Sequence, residues 1–130
     1  MKFPEELRYT KEHEWVAVKG NVATMGITDY AQGELGDVVF VELPQAGTAV
    51  SAMKALGTIE AVKTVADLFS PLTGKVLEVN TALADRPDLV NHSPFDKGWM
   101  VRLEVSDPSE LKALLTAAQY RALVEGGGAA

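Results

Sequence analysis

The feature that most constrains the fold of this chain is a series of short apolar runs separated by turn-forming residues. Many of the runs contain β-branched residues, and their lengths are typical of strands rather than helices. Strands do not alternate with helical segments, so we expect antiparallel pairing in a small sandwich or barrel. The predicted strands lie at 15–18, 22–27, 37–43, 57–62, 65–69, 74–79 and 99–105.

Helices are predicted in two regions, each preceded by a residue that favours a helix N-terminus. Thr28 can cap a short helix near 28–35, because its hydroxyl can accept a hydrogen bond from a free N–H group of the first turn. Near the C-terminus, Ser106 or Asp107 can cap a second helix. A further segment at 117–125 can continue or restart it.

The length of 130 residues is sufficient for one hydrophobic core. We therefore expect a single domain over residues 1–125. The end of the chain, residues 126–130, contains only glycine and alanine, and we expect it to form a flexible tail.

Composition excludes several functions. The net charge of −6 and the absence of a basic cluster argue against a nucleic-acid partner. No apolar run is long enough to span a membrane. The chain has no cysteine and only two histidines, so no metal site is expected. Neither a catalytic Ser/His/Asp set nor a glycine-rich phosphate loop is present, which argues against an enzyme.

Lys63 lies between two runs that can pair as an antiparallel hairpin, so it is expected at or next to the bend. A lysine there projects into solvent and is open to a modifying enzyme. Taken alone, Lys63 is an ordinary surface lysine. Its neighbours Glu60, Val62 and Asp67, with Pro and Gly further along, resemble the hairpin of lipoyl and biotinyl carrier domains, which bear their cofactor on such a lysine.

A second lysine lies in a similar local sequence. Ala52-Met53-Lys54 resembles the attachment motif of biotin carriers, but no Pro or Gly turn follows Lys54 at the required distance. We therefore expect Lys54 to be a surface residue in the loop before the hairpin.

Several further blocks, in order, resemble the H-protein family of the glycine cleavage system over nearly the whole chain. One departure lies at the hairpin, where the family's Glu-Ser-Val-Lys reads Glu-Ala-Val-Lys and Ala61 replaces the serine. The matching blocks are YTKEHEW (9–15), GITDYAQ (26–32), LGDVVFVELP (35–44), SPLTGKVLEVN (70–80), LVN (89–91) and GWM (98–100).

This resemblance implies a mainly β fold, the barrel-sandwich hybrid of lipoyl and biotinyl domains. It also implies a non-catalytic carrier with lipoate attached to Lys63. The carrier would take an aminomethyl group from the pyridoxal-phosphate glycine decarboxylase to the tetrahydrofolate-dependent aminomethyltransferase, and pass reducing equivalents to dihydrolipoamide dehydrogenase. A lipoate ligase or lipoyltransferase would modify the lysine, and the carrier would be a monomer.

The resemblance also assigns roles to single residues. Glu60, Ala61, Val62 and Asp67 would form the hairpin that the ligase recognises. Glu14 would face the loaded arm in a surface cleft, with Asp67 contributing to the same cleft.

Other carrier roles stay open at this point. They are a biotinyl carrier or 2-oxoacid-dehydrogenase lipoyl domain, a lipoyl relay, and a non-lipoylated H-like paralogue. The family blocks begin a few residues after Met1, which favours a bacterial cytoplasm over an organelle precursor. A processed mitochondrial-matrix form is the alternative.

Overall fold

A computed structural model describes residues 1–126, which are mainly β with short helices. The predicted tail at 126–130 lies outside the described residues except for Gly126, and the single domain over 1–125 stays a prediction. The strands are β1 (Arg8–Tyr9), β2 (Glu14–Lys19), β3 (Val22–Ile27), β4 (Val38–Glu42), β5 (Ala49–Val50), β6 (Ala55–Ala61), β7 (Val65–Phe69), β8 (Gly74–Val79) and β9 (Val101–Val105). The helices are α1 (Asp29–Leu35), α2 (Ala82–Asp85), α3 (Leu89–His92), a 3₁₀ helix (Pro108–Ala113) and α4 (Ala117–Glu125).

The strands form two sheets. One has the order β1-β2-β3-β9-β8-β5, and the other has the order β4-β6-β7. Every strand pair in residues 1–126 is antiparallel, as the sequence predicts. The predicted strands all appear, although the last is shorter at its start and β6 begins earlier than expected. The mainly β class with a short helix near 28–35 and C-terminal helices is confirmed.

The main core lies between the sheets, because buried side chains from both belong to one cluster. Met25 and Leu103 come from the larger sheet, whereas Ile59 and Leu68 come from the smaller one. Each of these four side chains is at most 2% exposed. Burying a side chain of this size contributes about 1.5–3 kcal/mol to folding, so this packing fixes the smaller sheet against the larger.

A second hydrophobic cluster attaches α4 to β1, at one edge of the larger sheet. Tyr9 in β1 and Tyr120 in α4 stack with ring centroids 4.7 Å apart and planes 6° apart. Leu7, Trp15 and Val124 pack in the same cluster. Aromatic pairs of this kind add about 0.5–1.5 kcal/mol beyond the area they bury, so the C-terminal helix is a packed part of the fold.

The helix caps agree with the sequence-based prediction. The hydroxyl of Thr28 accepts a hydrogen bond from the N–H of Ala31 and begins α1. Asp107, one of the two candidates, caps the 3₁₀ helix. Thr116 restarts the chain as α4, and its reciprocal hydrogen bonds with Gln119 satisfy two N–H groups that have no partner inside the helix.

Gly74 in a strand and Gly33 in a helix should respond oppositely to substitution by alanine. At Gly74 in β8, a Cβ would lie 1.9 Å from the carbonyl oxygen of Glu104. We expect Gly74→Ala to lower the free energy of unfolding by about 1–3 kcal/mol, because the paired strands must move apart. Urea unfolding would measure the change.

Gly33→Ala provides the matched control. A Cβ at Gly33 in α1 has no neighbour within 4 Å, and alanine is favoured over glycine inside helices by about 1 kcal/mol. We therefore expect a small gain in stability. A Gly74→Ala protein as stable as the parent would contradict the close approach of β8 to β9.

Candidate functional site: the Lys63 hairpin and the Glu14 cleft

Lys63 lies at the tip of the hairpin formed by β6 and β7. The N–H of Ala61 donates to the carbonyl oxygen of Thr64 at 2.8 Å, so Val62 and Lys63 are the two central residues of a tight turn. Both side chains are exposed. The N–H of Val62 donates to the carbonyl oxygen of Asp37 at 3.1 Å, which ties the turn to the chain just before β4. The turn therefore presents Lys63 in solvent on a supported base.

The neighbours of Lys63 divide between two faces of the hairpin. Glu60 is exposed and pairs across the ladder with the exposed Val65. Ala61 is only 4% exposed and pairs with the buried Val38 in β4. Glu60 and Val62 are thus accessible beside the lysine, whereas Ala61, which replaces the family's serine, is buried.

The strand β7 lies at the edge of the smaller sheet. Because Ala61 and Thr64 form a hydrogen-bonded pair, the alternation of an antiparallel ladder turns the backbone groups of Asp67 away from β6. The N–H of Phe69 also points outward and donates to Oε2 of Glu14 at 3.4 Å. This edge of β7 forms one side of a cleft.

The cleft has a volume of about 380 Å³ and lies between β7, α1 and the start of β2. Its wall brings together Glu14 and Asp67, the two residues that the family resemblance assigns to it. The other lining residues are the polar Glu12, His13, Tyr30 and Glu34, and the apolar Ile27, Ala31, Leu35, Ile59, Ala66 and Phe69.

A second depression begins at Lys63 and is lined by Val62, Asp37 and the end of α1. It shares Glu34 and Leu35 with the Glu14 cleft. The two depressions therefore adjoin at the end of α1, one at the base of the Lys63 side chain and the other at Glu14.

Glu14 is buried at 1% exposure. Thr10 Oγ1 donates to Glu14 Oε1 at 2.5 Å, and the second oxygen accepts only the long bond from Phe69. Burial raises the pKa of Glu14 to about 8, although these two hydrogen bonds oppose the shift. The carboxyl is therefore largely protonated at neutral pH, and a cation entering the cleft would favour its ionised form.

His13 precedes Glu14 and has a backbone φ of 73°, in the left-handed region. Its Nδ1 lies 2.9 Å from the hydroxyl of Tyr120, and burial lowers the pKa of the imidazole. The lowered pKa keeps the imidazole mainly neutral at pH 7, and the ring forms a hydrogen bond within the cleft wall.

The two tryptophans have packing roles. Trp15 is 2% exposed, and its Nε1–H donates to the carbonyl oxygen of Pro94 at 2.8 Å. The Arg102 guanidinium lies 4.2 Å from the centre of the Trp99 ring, which is a cation–π contact on the larger sheet.

Sequence reasoning missed the contribution of α1 to the cleft. Ala31 and Leu35 are spaced four residues apart, so they share one face of the helix, and this weak apolar stripe was the available signal. The sequence did not indicate which sheet would receive it. Glu34 and Tyr30, on the same helix, were missed for that reason.

No group of three or more His, Asp or Glu side chains in residues 1–126 is arranged to hold a metal ion. Among the helices of the same residues, none has the length and apolarity needed to cross a membrane.

A β-rich fold that presents a lysine on a tight hairpin turn is typical of lipoyl-type carrier domains. The family model described as glycine cleavage H-protein matches residues 7–126. The chain belongs to this family, whose members are lipoyl carriers of the glycine cleavage system.

Similar proteins support the assignment along the whole chain. Glycine cleavage system H proteins of Geobacillus kaustophilus (strain HTA426) and Geobacillus thermodenitrificans (strain NG80-2) are 56% and 54% identical over 127 residues, which is 98% of this chain and 100% of each relative. The crystal structure of a glycine cleavage system H protein from Mycobacterium marinum superposes with a TM-score of 0.85 at 39% identity. The superposition covers 95% of this chain and 98% of the Mycobacterium marinum chain. The predicted barrel-sandwich fold is confirmed.

The stability of the unmodified protein should depend on the ionisation of Glu14. A carboxyl whose pKa rises from 4.5 to about 8 on folding gives stability that is full below pH 4.5 and is lost as the pH rises through 8. We expect Glu14→Gln to remove this loss, since glutamine stays neutral and can still bond to Thr10 and Phe69.

The measurement is urea unfolding of both proteins at several pH values from about 5 to about 9. The advantage of Glu14→Gln should grow with pH and reach a few kcal/mol, at about 1.4 kcal/mol per pKa unit. A difference that is constant across the range would show that Glu14 ionises normally in the folded protein.

Proposed function

We propose that this protein carries lipoate in amide linkage on Lys63 and that the resulting arm docks in the Glu14 cleft. The observation that carries the proposal is the groove along the end of α1 that the two adjoining depressions outline, one beginning at the exposed Lys63 and the other holding the buried carboxyl of Glu14. A surface lysine without a carrier role would not need a shaped path away from its base.

The residues around this path suit a lipoyl arm. Ala31, Leu35 and Phe69 are partly exposed and offer apolar surface to a hydrocarbon chain, and Glu14 and Asp67 offer polar groups at the cleft wall. When bound, lipoate supplies the dithiolane sulfur chemistry that a chain without cysteine lacks. The protein's own residues orient the arm and exclude water from its end.

Glu14 is the residue that we assign to the cationic cargo, an aminomethyl group. An incoming ammonium favours the carboxylate form of Glu14, so docking is coupled to the loss of a proton from this buried group. A charge-assisted hydrogen bond of this kind contributes about 1.5–3 kcal/mol. Asp67, on the free edge of β7, adds a second acceptor and negative charge.

This holding role protects the cargo. In water the aminomethyl group is lost as formaldehyde and ammonia, with a water molecule consumed and the sulfur left as a thiol. By keeping the group against Glu14 inside the cleft, the protein lowers the exposure of the carbon–sulfur bond to water between encounters with its partners.

The proposed partners follow from membership of the family. The carrier would receive the aminomethyl group at glycine decarboxylase, deliver it to the tetrahydrofolate-dependent aminomethyltransferase, and be reoxidised by dihydrolipoamide dehydrogenase. We propose that it acts as a monomer and as a carrier on which these enzymes work. The relatives above are bacterial, which supports a bacterial cytoplasmic location.

A lipoate ligase or lipoyltransferase would recognise the outer face of the hairpin. Glu60 and Val62 are exposed beside Lys63, and Asp67 lies on the following strand. Ala61 is buried against β4, so we assign it a supporting role in the shape of the turn rather than a direct contact with the ligase.

The attachment site can be tested by intact mass and peptide mapping after expression with lipoate and an active ligase. We expect one lipoyl adduct, located on Lys63 and absent from Lys63→Ala. Lys54→Ala is the matched control, because Lys54 is also exposed and lies just before β6. Loss of the adduct from Lys54→Ala, or an unmodified Lys63 in the parent, would refute the assignment.

Protection of the cargo can be tested by following formaldehyde release from the loaded protein. Glutamine can still accept a hydrogen bond but carries no negative charge, so Glu14→Gln removes the charge-assisted part of the interaction and should accelerate release by about tenfold. Glu104→Gln is the control, since this exposed carboxylate lies in β9, away from the cleft. Equal release rates in all three proteins would argue against docking.

A further inference from the structure

We infer that Tyr120 in the C-terminal helix is a positioning residue of the Glu14 cleft. Its hydroxyl holds the imidazole of His13 in the cleft wall and thereby fixes the backbone from which Glu14 projects. This inference rests on the proposed function, because the cleft matters only if the arm docks there.

The hydroxyl of Tyr120 lies at a junction of three chain segments. It is 2.9 Å from Nδ1 of His13 and 2.7 Å from Oγ1 of Thr28. Both Tyr120 and Thr28 are at most 1% exposed, so water does not compete for the bond between them, whereas His13 is partly exposed. A helix near the end of the chain is thus bonded directly to the cleft wall.

The conformation of His13 gives this contact its importance. A φ of 73° is unfavourable for a residue other than glycine and persists only where surrounding contacts hold it. The backbone is tied on both sides, since His13 N–H donates to Thr10 and Thr28 N–H donates to the His13 carbonyl oxygen. The imidazole ring lies 4.9 Å from the Tyr30 ring and 5.7 Å from the Tyr120 ring, and its hydrogen bond to the Tyr120 hydroxyl completes this restraint, one residue before Glu14.

Thr28 extends the same network to α1. Its Oγ1 accepts a hydrogen bond from the N–H of Ala31 at the start of the helix. The same hydroxyl also forms a hydrogen bond with the hydroxyl of Tyr120. The helix α1 supplies Leu35 and Glu34 to the depression at Lys63. The Tyr120 hydroxyl therefore contacts both His13, in one wall of the cleft, and Thr28, which caps the helix that forms the other wall.

The ring and the hydroxyl of Tyr120 have separable roles. The ring stacks on Tyr9 and meets Phe3 edge-on at 5.9 Å, which secures α4. The ring also meets the His13 imidazole edge-on at 5.7 Å, whereas the hydroxyl forms the hydrogen bonds to His13 and Thr28. Tyr120→Phe therefore keeps the packing and deletes these hydrogen bonds.

Tyr9→Phe is a closely matched control. It removes a hydroxyl from the other ring of the same stack, and that hydroxyl donates to the carbonyl oxygen of Pro4 at 2.7 Å, outside the cleft lining. The two variants lose the same atom; Tyr9→Phe loses one hydrogen bond and Tyr120→Phe loses two, and only Tyr120→Phe should affect His13.

The experiment has two readouts on the full lipoylated chain. The first is the ¹⁵N NMR resonance of His13 Nδ1 without cargo, which should shift in Tyr120→Phe and stay in place in Tyr9→Phe. The second is formaldehyde release after loading, which should rise severalfold in Tyr120→Phe and match the parent in Tyr9→Phe. His13→Asn should raise release similarly, and asparagine is suitable here because it tolerates the left-handed backbone. A protein with both His13→Asn and Tyr120→Phe should lose cargo no faster than either single variant.

The outcomes separate this inference from the proposed function. If Glu14→Gln accelerates release but Tyr120→Phe does not, the positioning role is wrong and the docking cleft stands. If Tyr9→Phe and Tyr120→Phe accelerate release equally, the effect comes from weaker attachment of α4 and the positioning role is also wrong. If none of these variants changes release, docking itself fails and this inference fails with it.

Discussion

The antiparallel pairing of β6 with β7 is the constraint on which the site depends. The bond between Ala61 and Thr64 closes the hairpin and puts Lys63 at an exposed central position of the turn. The same pairing sets the ladder alternation, which turns the backbone of Asp67 and Phe69 outward. One register therefore determines both the attachment point and one side of the cleft. A shift by one residue would exchange the two faces and bury Glu60 in place of Ala61.

The buried carboxyl of Glu14 connects this geometry with function. A carboxyl with few hydrogen bonds in a dry site is unfavourable in its charged form, which is why burial raises its pKa to about 8. The cost falls when a cation occupies the cleft. The site therefore favours a cationic occupant over an empty state with an ionised Glu14, and under the proposed function this difference would select for a protonated amine.

Local signals were sufficient for much of the fold. The longer strands follow from β-branched runs, and the caps of α1 and of the 3₁₀ helix follow from Thr28 and Asp107, because these effects act within a few residues. The two-residue strands β1 and β5 and the four-residue helices α2 and α3 were not predicted. Elements this short carry no periodic pattern, and they form because neighbouring strands or packed side chains complete their hydrogen bonds.

The sequence by itself determined the lysine hairpin, the antiparallel β class and the family, since these depend on residues close together in the chain or on ordered blocks of identity. Only the tertiary structure decided that α1 borders the groove, that Glu14 is buried, and that Tyr120 reaches His13. The residues of that last contact are 107 positions apart. Their meeting depends on how the clusters of both sheets and α4 pack, which is a property of the whole core and has no local signature.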